Sequence, residues 1–112
     1  MTVDTIAGLR QVHARLKSIG PDTIPRPHEL EALAEKVLAC SAELGDVAVA
    51  DPKELRRLLT YAVKSLRAAE KAARAHHSDP AGRPLAPVRF ALKAGAADGA
   101  LEGALELLDP GN

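Results

Sequence analysis

The stretch DPKELRRLLTYAVKSLRAAEKAARAHH, residues 51–77, reads as one long amphipathic helix and sets the class of the whole chain. Asp51 stands at an N-cap position, Pro52 suits the first helical residue, and Glu54 follows where the third should be. This is a capping-box arrangement with aspartate in place of serine. Leu55, Leu58, Leu59, Ala62, Leu66, Ala69 and Ala73 recur at spacings of three and four and form one apolar face, until His76-His77-Ser78-Asp79-Pro80 breaks the pattern. At 100° per residue, Lys53, Arg57, Thr60, Lys64, Arg67, Lys71 and Arg74 fall in one narrow sector almost opposite the leucines. The helix therefore has a side for a core and a side that is continuously basic.

A single amphipathic helix must bury its apolar face against others, and the flanking sequence supplies three more. Upstream, Val3, Ile6, Leu9, Val12, Leu16 and Ile19 make one stripe over residues 2–19, ended by Gly20-Pro21. A second helix over 27–44 starts at Pro27, carries Glu29 and Glu31 at its positive end, and presents Leu30, Leu33, Ala34, Val37, Leu38 and Leu44 before Gly45 offers a C-terminal cap. Val47-Ala48-Val49-Ala50 is too short for a strand and has no second strand to pair with, so it reads as a loop on the core. Downstream, residues 87–108 form the last helix, whose period buries Phe90, Ala94, Ala97, Leu101, Leu105 and Leu108. Residues 21–27 and 79–87 each contain three prolines and are stiff connectors. The expected fold is all-α: a small antiparallel four-helix bundle with proline-rich connectors, in one domain over residues 1–112.

Composition agrees with a globular chain and narrows the core. Of the 112 residues 46% are hydrophobic and 27% charged, but only 2% are aromatic, Tyr61 and Phe90, so the core is aliphatic and alanine-rich and depends on close helix approach. No apolar run is long enough for an export signal or a membrane span, and a single cysteine, Cys40, forms no internal disulfide, so a reducing cytoplasm is the expected compartment. Size, alanine richness and helical content resemble those of small type VII-secreted helical proteins. Their central Trp-X-Gly turn needs a tryptophan, which this chain lacks, so the sequence is assigned to no family.

Charge is unevenly distributed although it sums to zero. Residues 1–52 hold five basic and eight acidic groups, residues 53–93 ten and three, and residues 94–112 none and four. The basic ridge of the third helix is either an ordinary solvated face or a binding surface; its sequence shows no acid within the ridge itself. The last helix carries the complement. Gly95, Gly99 and Gly103 lie on one face, each costing about 1 kcal/mol against alanine, with Val88, Leu92 and Leu107 beside them and the acids Asp98, Glu102, Glu106 and Asp109 alongside. Three readings account for the glycines: tight packing inside the bundle, contact with another molecule, or a frayed terminus.

Chemistry is harder to find. His76, His77 and Asp79 cluster at a helix end, but adjacent histidines point about 100° apart on a helix, and Cys40 and His28 have no ligand-like spacing to them. A structural histidine pair at a helix C-terminus fits better. Cys40 sits near an apolar stripe and reads as a buried thiol, and His13 as a surface residue. No nucleophile–histidine–acid set, paired carboxylates or phosphate loop stands out, so no catalytic residue, metal or cofactor is expected. A DNA reader needs a recognition helix after a tight turn, and residues 45–52 are too long for one; an RNA binder adds stacking aromatics. The sequence therefore points to a non-enzymatic module that binds a protein partner or itself. Its expected contacts are Lys53, Arg57, Lys64, Arg67, Lys71 and Arg74 on the third helix, with the Val88–Glu106 face on the fourth. Binding of an anionic ligand or nucleic acid along the ridge is the alternative, and a small enzyme or ligand carrier a further one.

Overall fold

A computed structural model describes residues 2–20, 23–44 and 49–109. They form four helices: α1 (Thr2–Ser18), α2 (Pro27–Glu43), α3 (Pro52–Ser78) and α4 (Ala86–Leu108). No strand occurs among the described residues. The expected bounds hold to within one residue at every end. The proposed Gly45 cap and residues 47–48 of the proposed loop lie outside the described residues, but Val49 packs on the core.

Each helix packs on its neighbours in the chain and α4 closes the ring on α1, while the diagonal pairs do not touch. Short connectors make consecutive helices antiparallel. Cross-links fix their register: Thr5 Oγ1 donates to Glu43 at 2.7 Å, joining the start of α1 to the end of α2, and Arg15 Nη2 donates to Glu29 Oε1 at 3.0 Å at the opposite end. Glu29 holds the Arg15 guanidinium more firmly protonated than usual. His77 Nε2 lies 3.0 and 3.1 Å from the carbonyl oxygens of Ile24 and Pro25, so the tip of α3 fastens the α1–α2 connector. The histidine pair thus has a structural part.

The 27 residues of α3 and 23 of α4 outrun the 17 each of α1 and α2. At 1.5 Å per residue, the α3–α4 hairpin reaches about 40 Å against about 26 Å for the other pair. The molecule is correspondingly elongated, 48 × 22 × 21 Å. The α3–α4 seam is the most extensive in the fold, and both helices bury small residues: Ala62, Ala69, Ala72 and Ala73 on α3, and Ala86, Ala97, Ala100 and Ala104 on α4. Leu9, Val12, Leu30, Val37, Leu66 and Leu101 are the largest fully buried side chains. They remove aliphatic area from water at roughly 25 cal/mol per Å².

Several expectations are corrected. Val3 is 78% exposed and Leu38 46% exposed. Val3 stands at the free N-terminal end of α1, and Leu38 lies off the arc that α2 turns toward both its neighbours; periodicity alone drew that stripe one residue too wide. Cys40, Ala100 and Ala104 belong to the core in addition to the residues the period selects. The α3 cap forms on one side only: Asp51 Oδ1 accepts from the Glu54 backbone N–H at 3.1 Å, but the Glu54 carboxylate turns forward to Arg57. An arginine one turn along offers a charged donor that the backbone of Asp51 does not match.

Candidate interaction surfaces

The basic ridge is a real surface. Lys53, Arg57, Thr60, Lys64, Arg67, Lys71 and Arg74 are all exposed on the outer side of α3. The helix that carries them is held by its leucines, so the ridge is as rigid as the core beneath it. Its charge is less uniform than the sequence suggests. Glu54 pairs with Arg57, and Glu70 lies 2.9 Å from Arg74 and 3.8 Å from Arg67. These acids sit on the flanks, one turn from the arginines, where helical neighbours meet. The uncompensated positive charge is therefore carried by Lys53, Lys64 and Lys71, which form no ion pair among the described residues.

The α4 face divides into two parts. Gly95 and Gly99 are exposed, and a Cβ built on either meets nothing within 4 Å. Tight internal packing is overturned for both: the bundle lies on the other side of the helix. Only Gly103 meets the fold, where a Cβ would stand 3.2 Å from Leu58 Cδ1 across the α3–α4 seam. In the structure α4 runs unbroken through all three glycines. Val88 and Leu92 continue the strip as large apolar side chains, 55% and 67% exposed. Leu107 instead packs partly on the core.

The acidic line is split by α1. His13 is half-buried, contrary to the surface position expected, and its Nε2 lies 2.6 Å from Asp98 Oδ1. Neither atom makes a well-directed hydrogen bond, so the two side chains meet as a close polar contact across the α1–α4 seam. Arg10 holds Asp109 on the same seam. Asp98 and Asp109 thus turn toward α1, and only Glu102 and Glu106 remain on the open side of α4. Nothing in the sequence marks this, because helix-wheel position places Asp98 beside the glycines but does not say which neighbour reaches over it.

Among the concavities beside these surfaces, one on the α1–α4 seam is lined by Arg10, His13, Glu102, Leu105, Glu106 and Asp109, and two more lie along α3. Of those two, one lies along the start of the ridge, between Arg57, Thr60 and the half-exposed Tyr61. The other, of about 520 Å³, lies between the end of α3 and the start of α4. Sequence reasoning missed the second because its residues come from two helices and a connector. Cys40 is buried and its thiol pKa is pushed up, by burial first and by Glu43 next, with Lys36 opposing. That is the opposite of an activated nucleophile. Among the described residues no three histidine, cysteine or acidic side chains come together as a metal site, and no helix is long and apolar enough to cross a membrane. Comparison with protein families, with characterised proteins and with solved structures gives no match, so geometry is the ground for any functional reading.

Proposed function

We propose that this protein is a non-enzymatic helical interaction module that assembles with a second copy or a protein partner, through the α4 strip and the α3 ridge beside it. The observation that carries this reading is the pair Gly95 and Gly99. Each weakens α4 by about 1 kcal/mol, and a Cβ at either meets nothing within 4 Å among the described residues. A helix of another molecule approaching this face would find room for close contact, with Val88 and Leu92 to cover and Glu102 and Glu106 on the rim. The unpaired Lys53, Lys64 and Lys71 on the adjacent helix suit an acidic counterpart, which the rim of a second copy carries.

The test is solution mass by light scattering at low and high salt, for the wild type and Gly99→Leu. The open space at Gly99 makes this variant compatible with the folded monomer. Expected is a dimer or larger species that Gly99→Leu dissociates at unchanged helicity and that high salt weakens. A monomer under every condition would overturn self-assembly.

A further inference from the structure

The groove at the α3–α4 tip has the chemistry of a ligand site. Its floor is apolar, made by Ala68, Ala72, Ala75 and Leu85. Its rim carries four cations, Lys71 from α3, Arg83 from the connector, and Arg89 and Lys93 from α4, with no acid among the lining residues. None of the four forms an ion pair among the described residues. The nearest acids in sequence are Glu70, which pairs with Arg74 and Arg67, and Asp79, which accepts from the Gly82 N–H at 3.0 Å. The Gly103–Leu58 contact sets the register of the antiparallel pair and brings Lys71 level with Arg89. The start of α4 adds to the field, for Leu85 gives it no side-chain cap and its first turn holds no acidic residue. The positive end of the helix dipole is left unanswered there.

These features select a ligand class by elimination. A wholly apolar ligand would leave the cations uncompensated, and a wholly polar anion would waste the alanine floor and Leu85, which is 59% exposed. Nucleic acid would call for stacking aromatics, and none lines the groove. The volume falls within the usual range of small-molecule sites. We infer that the α3–α4 tip groove binds a monomeric amphiphilic anion, a carboxylate or phosphate head held by Lys71, Arg83, Arg89 and Lys93 with its aliphatic chain on the alanine floor. This site lies apart from the α4 strip and shares Lys71 alone with the ridge lysines of the proposed assembly contact.

The test is titration of the isotope-labelled full chain with decyl phosphate and decanoate below their micelle-forming concentrations, followed by methyl and amide NMR. Controls are decanol for the chain alone, inorganic phosphate for the head alone, decyltrimethylammonium for the wrong sign, and phosphatidylserine vesicles for a lipid surface. Expected are shifts of the Ala68, Ala72, Ala75 and Leu85 methyls, with both anions binding about tenfold or more tighter than any of the three single-feature controls. Leu85→Asp and the pair Lys71→Glu with Arg89→Glu should each weaken binding about tenfold. The pair Lys53→Glu with Arg57→Glu, elsewhere on the same ridge, should leave it unchanged. All five changed residues are exposed, and circular dichroism checks that each variant folds. Equal loss from both charge-reversal pairs, unmoved floor methyls, phosphate binding as tightly as decyl phosphate, or a preference for vesicles over monomers would each overturn the assignment.

Discussion

Gly8 of α1 lies against Cys40 of α2 so closely that a Cβ built on the glycine would stand 3.1 Å from the cysteine Sγ. Gly8 is buried, unlike the two exposed glycines of α4. Like Gly103 on the α3–α4 seam, it is a position where a missing side chain lets two helices of this bundle approach.

The contact at Gly8 predicts a steep dependence on side-chain size. Alanine gains about 1 kcal/mol of helix propensity and gives up part of it to a displacement of a few tenths of an ångström at Cys40, so Gly8→Ala should be close to neutral. Gly8→Leu cannot be absorbed that way and should cost about 1–3 kcal/mol through overpacking. Urea unfolding should report the loss as a lower midpoint at unchanged slope. An unaffected midpoint in Gly8→Leu would mean that α1 and α2 sit farther apart than described.

The α4 glycines predict the reverse. With open space at both positions, Gly95→Ala and Gly99→Ala should each stabilise the monomer by up to about 1 kcal/mol, so the double variant should melt several degrees higher. Gly103→Ala should gain less, because Leu58 must first move aside. Calorimetry on the three single variants and the double checks the ranking.

The difference between Gly8 and Gly95 shows where sequence reading succeeds and where it stops. Helix order, length and capping are local properties, so Asp51-Pro52, the prolines at residues 21–27 and 79–87, and the leucine period of α3 were sufficient to place every helix. The outward ridge followed from the same wheel. Which glycine touches a neighbour is a tertiary property: the α4 glycines attract notice by their spacing, whereas Gly8 stands alone in its stripe and becomes significant only once Cys40 is opposite. The pairing of His13 with Asp98 and the meeting of Lys71 with Arg89 are equally invisible, each depending on the register between two helices.

Asp51 and Glu54 separate the two halves of a capping box. Asp51 accepts the Glu54 N–H, so Asp51→Ala should cost about 1 kcal/mol, and Asp51→Ser should retain most of the stability. Glu54 returns no bond to Asp51 and instead pairs with Arg57 on an exposed flank. Glu54→Gln should therefore change stability by less than about 0.5 kcal/mol. A double-mutant cycle between positions 51 and 54 checks this, with additivity expected; strong coupling would show that the reciprocal bond forms in solution.

Cys40 predicts a pH dependence on the alkaline side. Burial raises its thiol pKa in the folded chain, so the folded protein keeps the proton at a pH where the unfolded chain, near the ordinary thiol value of about 8.5, has released it. Deprotonation then favours the unfolded state. The thiol's contribution is fully present below about pH 8.5 and is lost as the pH rises toward the folded value. Stability of the wild type measured from pH 7 to 10 should thus fall more steeply above about pH 8.5 than that of Cys40→Ala, whose cavity lowers the curve by a constant amount without adding a slope. Labelling by a thiol reagent at pH 8 should be slow in the native protein and speed up in proportion to denaturant-induced opening, since a buried protonated thiol is a poor nucleophile. Rapid native labelling, or parallel stability curves for the two proteins, would place Cys40 at the surface and remove the Gly8 contact along with it.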